Sequence, residues 1–302
     1  MIKYSFIIPH HNTPDLLLRL VKSIPQRDDL EVIVVDDNSD EDKKPTFTRD
    51  DVKFFYIDKE HTKGAGRARN VGLEHAKGKW LIFADSDDFF SDNISSVLTK
   101  CESSDSDIIF FKVKGCISDT LEPTERGEIY NRRIHNFLLS KKKSVEEDLR
   151  YGHYVPWGKV IRKSLIDINN IKFDEVRYSN DLMFATLIGH YANKIEALDI
   201  VAYYITVREG SLVTQINIDT KKCRFAVDVR RLRFLCDIHK WKIVKSLGLI
   251  LYSIWKEYGM SGLNDFIKIM KDNGIGWGRF LLCEFMYAYY KRIRRIPYKR
   301  FN

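Results

Sequence analysis

The sequence contains no cysteine pair at C-x-x-C spacing, no apolar run of membrane-spanning length and little proline. Its five cysteines, Cys101, Cys116, Cys223, Cys236 and Cys283, are odd in number and widely scattered. That distribution suggests neither a disulfide framework nor a zinc site, and it makes a reducing cytosol the expected compartment. The longest apolar stretches, Leu247 to Trp255 and Phe280 to Tyr290, fall short of the roughly 18 residues that suggest a membrane span, so no bilayer crossing is expected. The apolar run at Phe6 to Pro9 is too short for a signal-peptide core and reads as a first strand. With 7 Pro and 16 Gly among 302 residues, 44% of them hydrophobic and 30% charged, the chain is neither disordered nor low in complexity. A chain of this length buries most of its apolar surface on folding.

Charge is present in quantity but unevenly placed. The formal net charge is +8, yet Asp219 to Asn302 holds 19 Lys+Arg against 7 Asp+Glu, a net of +12, which leaves residues 1–218 at −4. Such asymmetry predicts an anionic partner for the C-terminal segment, either an anionic membrane surface or a nucleic acid.

The first hundred residues alternate strand and helix patterns. Tyr4 to Pro9, Glu31 to Val35, Val52 to Ile57 and Lys79 to Ala84 are predicted strands, and Asp15 to Ile24 and Gly66 to Ala76 predicted helices. This β-α-β-β-α-β order implies an α/β fold with a mostly parallel sheet flanked by helices. In such sheets ligands bind beyond the carboxyl ends of the strands, where Asp36-Asp37 and Asp85 to Asp88 are expected. A further helix is predicted over Asn93 to Cys101 and a strand over Asp107 to Val113. Residues 115–150 are read as a loop-rich excursion with a short helix near Arg133 to Leu139. Val155 to Ile168 and Asn180 to Ala192 show helical periodicity, Ile200 to Val207 alternates as a strand, and the chain past Asp219 is almost wholly helical.

The sharpest local feature is Asp85-Ser86-Asp87-Asp88. Carboxylates crowded after an apolar strand repel one another unless a cation neutralises them, and hard divalent ions prefer oxygen ligands. A metal-diphosphate site is one solution, and an acidic loop that caps the next helix is the other. Asp36-Asp37-Asn38-Ser39 is equally open between a binding site and a turn.

Four segments taken together are more specific. Ser5-Phe6-Ile7-Ile8-Pro9-His10-His11-Asn12, Val34-Val35-Asp36-Asp37-Asn38-Ser39, Gly64-Ala65-Gly66-Arg67-Ala68-Arg69-Asn70-Val71-Gly72 and Phe83-Ala84-Asp85-Ser86-Asp87-Asp88 resemble, in order and spacing, the family 2 glycosyltransferases of the GT-A fold. The likeness covers residues 3–90, continues through Trp157-Gly158-Lys159, Ser179-Asn180-Asp181 and Arg208-Glu209-Gly210-Ser211, and fades after about residue 215. It implies a catalytic domain over 1–215 and a basic, aromatic-rich helical region over 216–302.

The resemblance also implies roles. Asp36 and Asp37 would hydrogen-bond the uracil and ribose of a nucleotide sugar, with Pro9, His11 and Asn12 around the base. Many relatives carry Tyr at the position of His11. Arg69 would approach the nucleotide, a task suited to a guanidinium, and Asn70 would hold its loop, whereas Arg67 is read as a surface helix start. Asp85 would address the ribose, Ser86 is the variable centre of a D-x-D motif, and Asp87 would coordinate Mn2+ or Mg2+ to stabilise the departing diphosphate. Asp88 is read as a support or cap for its neighbours. Asp181, preceded here by Asn180 where many relatives have Glu, matches the position of a general base; a helix cap is the plainer alternative. Trp157 is a candidate for stacking on a sugar, and Lys159 and Arg208 for contacting phosphate or acceptor, each with a structural role as the alternative. His61, His75, His153 and His190 show no ligand spacing and are read as surface or hydrogen-bonded core residues.

The activity so implied is inverting transfer of a sugar from a UDP-sugar donor to a hydroxyl of a glycan or lipid-linked saccharide acceptor in bacterial surface-polysaccharide assembly, in the cytoplasm or at the inner face of the plasma membrane. A single base without a matching nucleophile fits one in-line displacement. Transfer to polyprenyl phosphate and an inactive nucleotide-binding scaffold are the alternatives. Phe280 to Tyr290 followed by Lys291, Arg292, Arg294, Arg295, Lys299 and Arg300 fits a peripheral contact with anionic membrane, or a helix packed on the catalytic domain. No nucleic-acid-binding motif accompanies the charge.

Overall fold

The computed structural model of the chain describes residues 1–47, 49–61, 64–140, 142–208 and 217–294. They gather into two compact units, Met1–Gln215 and Ile216–Asn302. Glu209-Gly210-Ser211, the last piece of the motif likeness, and the cations Arg295, Lys299 and Arg300 lie outside the described residues.

In the N-terminal unit the elements run β1 (Tyr4–His10), α1 (Pro14–Ser23), β2 (Leu30–Asp37), β3 (Val52–Ile57), α2 (Ala65–His75), β4 (Trp80–Phe83), β5 (Phe89–Phe90), α3 (Ile94–Ser103), β6 (Ile108–Ile117), β7 (Pro123–Thr124), α4 (Glu128–Leu139), α5 (Lys143–Gly152), β8 (Lys159–Arg162), α6 (Lys163–Ile168), α7 (Leu182–Tyr191) and β9 (Ile195–Val207). The strands form one mixed sheet of order β3-β2-β1-β4-β8-β6-β9-β5, with β7 paired to β6. β1, β2, β3 and β4 pair in parallel, as do β6 and β9; β8 runs antiparallel to both β4 and β6.

Every residue of β1 and β2 is buried. Because side chains alternate across a strand, Phe6, Ile8, Val32, Val34 and Ile82 fall into a core on one face of the sheet. Ile7, Ile33, Val35, Leu81 and Phe83 fall into a second core on the other. Continuous Val/Ile runs covered on both faces are what central parallel strands require. Gly72 lets α2 lie close on β1, since a Cβ there would strike the Ile7 side chain.

Pro9 has a specific place in this ladder. The carbonyls of Lys3 and Ile7 accept from Trp80 N (2.9 Å) and Ala84 N (3.2 Å), so alternate residues of β1 address β4. In that register the next donor facing β4 belongs to residue 9, and proline has no N–H. The β1–β4 pairing stops at Ile7–Phe83 while β1–β2 continues to His10–Asp36. The chain after Ala84 is thereby released from the sheet, and the acidic segment begins at that point.

Two predicted regions differ from the structure. Val155 to Ile168 is not one helix: Lys159–Arg162 forms β8 and only Lys163–Ile168 is helical, because four residues wedged between β4 and β6 take their conformation from two ladders. Residues 115–150 hold the end of β6, the short β7, the whole of α4 and most of α5. Tyr130, Ile134 and Phe137 give α4 a buried stripe at helical spacing within an otherwise polar segment.

The C-terminal unit consists of α8 (Ile218–Asp237), α9 (Leu247–Asp272) and α10 (Trp277–Arg294), with a short 3-10 turn at Trp241–Ile243. Asn217 Oδ1 caps α8 by accepting from Thr220 N (2.8 Å), and Ser246 Oγ caps α9 by accepting from Leu249 N (3.0 Å). Phe225 of α8 meets Phe266 of α9 at 5.1 Å between ring centroids. None of the described helices is long and apolar enough to cross a membrane.

Candidate functional site

At the tip of β2, Asp36 is buried and internally engaged. Its Oδ2 accepts from His10 Nδ1 (2.7 Å) and Ser39 Oγ (2.6 Å), and its Oδ1 from Ser39 N (2.8 Å). His10 Nε2 accepts the Thr13 N–H (3.2 Å), so the ring proton sits on Nδ1 and points at Asp36. Burial pushes the Asp36 carboxyl up, but the hydrogen bonds from His10 and Ser39 outweigh it and hold the group below its ordinary value. These three hydrogen bonds fix the β1–β2 tip, the place at which the resemblance sets Asp36 beside a nucleotide. Asn38 and Asn12 take positive φ (61° and 55°), which Asn tolerates. Asn12 joins the two tips by donating N–H to Ser39 Oγ (2.9 Å) and exchanging hydrogen bonds with Asp40 (2.9 Å each way). His11 Nδ1 donates to the Asp37 carbonyl (3.0 Å). Pro9 and Asp37 are buried in their strands, and His11 is exposed.

The tip of β4 is built differently. Asp88 is buried, accepting from Tyr203 OH (2.7 Å) and Thr206 N (2.7 Å) of β9. Tyr203 oxygen in turn accepts the Asp85 N–H (2.9 Å). The Asp87 carbonyl accepts from Arg19 Nη2 and Thr206 Oγ1, both at 2.7 Å. Thr13 Oγ1 lies 3.1 Å from Ser86 Oγ. Burial, and then the neighbouring charges of Asp87 and Asp85, push the Asp88 carboxyl well above the usual range. Asp87 is also raised, by burial and by Asp85, although Arg208 Nε sits 3.2 Å from its Oδ2. Excess negative charge is thus gathered at this tip, while Asp85 and Asp87 keep part of their side chains accessible.

Arg69 connects this tip to the far side of the site. Nearly buried on α2, it donates Nη2–H to Asp85 Oδ1 (2.5 Å) and Nη1–H to Asn180 Oδ1 (2.7 Å). Its guanidinium lies 5.4 Å from the Phe173 ring centroid. Asn70 Nδ2 donates to the Phe173 carbonyl (3.0 Å) and its Oδ1 accepts Phe173 N (2.8 Å), pinning the loop that leads to Asn180. This closeness needs Gly66, where a Cβ would collide with the Asp174 carbonyl oxygen. Arg67 contacts Glu175 (3.3 Å).

Asp181 follows at the N-terminus of α7. It occupies the cap position, yet its side chain makes no capping hydrogen bond. Burial raises its carboxyl to about 6, against the pull of Arg69. Such a group is ionised at neutral pH and basic enough to accept a proton from a hydroxyl.

The remaining expected contacts fall elsewhere. Lys159 is fully buried, with Nζ on the His153 carbonyl (2.6 Å) and 5.3 Å from the Phe110 ring centroid; burial lowers it to about 7. Trp157 is buried between Tyr130 (5.3 Å) and Tyr203 (6.0 Å). Both side chains serve the core under the site. His153 is not hydrogen-bonded through its ring: among the described residues neither nitrogen has a partner, and burial holds it well below its ordinary value. Arg19, Tyr203 and Thr206 organise the β4 tip from outside the motif segments, while His10 and Ser39 lie inside them with no role assigned by the resemblance. The β1–β2 register opposing His10 and Asp36 is the one cue that alignment of the predicted strands could have supplied.

A family model described as Glycosyl transferase family 2 matches residues 5–167, a span that holds both tips, Arg69 and the Asp85 to Asp88 segment. The chain belongs to glycosyl transferase family 2. Within that family it is similar to the poly(ribitol-phosphate) beta-N-acetylglucosaminyltransferase TarS of Staphylococcus aureus, at 27% identity over 229 residues, 70% of this chain and 36% of TarS. The match thus spans about a third of the length of TarS. Similarity to the glycosyltransferase GlyG of Streptococcus pneumoniae is 26% over 237 residues, covering 69% of this chain and 72% of GlyG. A beta-1,3-glucosyltransferase of Campylobacter jejuni acting on GalNAc(5)-diNAcBac-PP-undecaprenol is 36% identical over 107 residues, 33% of this chain and 35% of that protein. The crystal structure of S. aureus TarS 1–349 in complex with UDP-GlcNAc superposes with a TM-score of 0.63 at 20% identity, over 100% of this chain and 94% of that one. The family 2 chain therefore has the GT-A-like architecture, a mixed sheet flanked by helices.

Proposed function

We propose that this family 2 chain is an inverting glycosyltransferase that moves a sugar from a UDP-sugar to a hydroxyl of a glycan or lipid-linked saccharide in cell-surface polysaccharide assembly. The observation that carries it is Arg69, which ties the acidic tip of β4 to the segment that presents Asp181. Donor and acceptor chemistry then meet at one place. The UDP-GlcNAc held by TarS and the lipid-linked saccharide used by the Campylobacter relative support the substrate classes. Residues 1–215 form the catalytic part of this reading and 216–302 a basic accessory part, acting at the inner face of the membrane.

In the reaction, the Asp181 carboxylate accepts the proton of the acceptor hydroxyl, whose oxygen attacks the anomeric carbon as the bond to the nucleoside diphosphate breaks on the opposite face. One displacement inverts that carbon. Asp36, Asp37, Pro9, His11 and Asn12 border the nucleoside, and Asp85 and Ser86 its ribose. Arg69, whose Nε has no partner among the described residues, has a donor to spare for the diphosphate.

The donor set at β4 suits a hard divalent ion. Asp87 offers carboxylate oxygens, and its carboxyl is raised by burial and by its acidic neighbour Asp85, a repulsion that a cation relieves. Among the described residues no group of three or more His, Cys, Asp or Glu is arranged to hold a metal ion; Asp87 is the residue that would hold Mn2+ or Mg2+, with the oxygens of the donor diphosphate completing its shell. When bound, the ion supplies neutralisation of the charge that develops on the leaving diphosphate.

A thermal-shift series with UDP, UDP-GlcNAc and other nucleotides, with and without Mn2+, tests the reading. Ligand at 100 times its Kd stabilises by about 2.7 kcal/mol. A metal-dependent shift confined to uridine nucleotides is expected; a response to a different nucleotide alone would overturn the donor assignment.

A further inference from the structure

A surface helix ordinarily turns its apolar stripe inward and its charges to water. α10 departs from that rule on the side it leaves uncovered. Its inward side carries buried Cys283, whose Sγ lies 3.0 Å from Cys236 Sγ, and Glu284, whose carboxylate accepts from Ser246 Oγ (2.6 Å) and Gly248 N (3.0 Å). On the other side Leu281, Leu282, Phe285, Ala288 and Tyr289 recur at helical spacing, and all are exposed. Leu281 is 64% and Phe285 66% exposed, and Trp277, one turn earlier, 49%. Between Phe280 and Tyr290 the only charged residue is Glu284, which is spent inward. A contiguous apolar face of this kind on a described surface marks an interaction site.

Charge decides between a second copy and a lipid surface as the occupant. Two copies would bring segments of net +12 each against one another, and like-charge contact is unfavourable. An anionic bilayer surface satisfies both features. Arg292 is exposed one turn beyond Ala288 on the same side, and Lys271 Nζ lies 5.8 Å from the Trp277 ring centroid. Trp277 and Tyr289 stand toward the two ends of the apolar stretch and belong to the residue types that settle at headgroup level. Since α10 is not apolar enough to span, the geometry calls for a helix lying in the interface.

We infer that the exposed face of α10 seats the C-terminal unit on bilayers containing anionic phospholipid. This goes beyond the transfer chemistry proposed above and is read without any substrate. The test is co-sedimentation of the full chain with vesicles of phosphatidylcholine alone or mixed with phosphatidylglycerol. Binding to the mixed vesicles that weakens as salt is added is expected, with little on phosphatidylcholine alone. The double variant Leu281→Gln, Phe285→Gln should lose about tenfold or more in binding while keeping the parental melting temperature, because both side chains are exposed. Arg292→Gln should lose about fivefold. The inference fails if the parent ignores phosphatidylglycerol vesicles, or if the variants bind as the parent does. It fails equally if sedimentation equilibrium shows a dimer that Leu281→Gln dissociates, since a second copy would then cover the face.

Discussion

At the tip of β2, Asp36 takes three hydrogen bonds from His10 and Ser39 and titrates below its ordinary value. At the tip of β4, Asp85, Asp87 and Asp88 crowd together, and two of the three are raised by burial and by one another. Both tips are aspartates at the carboxyl ends of parallel strands, and sequence treats them alike. Their partners separate them. At the β2 tip the hydrogen bonds outweigh burial and hold the carboxylate in place, whereas at the β4 tip burial and mutual repulsion outweigh the partners that Asp87 and Asp88 have, a cost that a cation or a donor from outside would relieve. Of the two, the β4 tip is the reactive one in the proposed chemistry.

The sharpest way to break this contrast is Asp181→Asn, across Arg69 from the reactive tip. Turnover should fall about 10^2 to 10^4-fold with the melting temperature and UDP-sugar affinity nearly unchanged. Full turnover would instead favour an acceptor that needs no base, such as polyprenyl phosphate. In the parent, kcat should decline about tenfold per pH unit below about 6, because Asp181 must be ionised to act and burial has raised it to that value.

Asp36→Asn comes next, and its effect should be on stability. Losing charge-assisted hydrogen bonds at a buried site costs about 1–3 kcal/mol, measurable by urea unfolding, with only a modest change in kcat. The sign follows from its lowered folded value: the carboxylate's contribution is complete above the unfolded pKa of about 3.9. It is lost as pH falls through the folded one, so the gap between parent and variant should close in acid.

The smallest effect is expected for Asp88→Asn, within about 1 kcal/mol of the parent. Here the raised folded value reverses the sign: the cost to stability is full above that value, shrinks as pH falls below it, and is gone below the unfolded pKa of about 3.9. Parent and variant should converge as the solution is acidified. A large loss at neutral pH would show that the Tyr203 and Thr206 hydrogen bonds outweigh the repulsion, and the contrast between the tips would have to be redrawn.

Long, strongly patterned elements were legible in the sequence. β1 to β4, α1 and α2 follow from Val/Ile runs and helical spacing, because central strands and amphipathic helices advertise their burial. β8 was not, since Lys159–Arg162 is too short to carry a period and takes its form from neighbours distant in sequence. The same limit governs the site. The Asp85 to Asp88 segment, Arg69 and Asp181 could be named from motif order, but the engagement of Asp36 depends on a histidine 26 residues away. The burial of Lys159 and Trp157 likewise reflects packing between β4, β6 and β9 that no local pattern encodes. Arg19, holding the Asp87 carbonyl from α1, is one arginine among many until the chain is folded.

Pro9 bears on how such a protein can diversify. Its pyrrolidine ring ends one ladder at a fixed rung, so the point of departure of the Asp85 segment is written into covalent structure and owes nothing to the composition of what comes after. Segments of different length or charge could be grafted onto that stem without disturbing the strands below, leaving the scaffold constant while the chemistry at its tip changes.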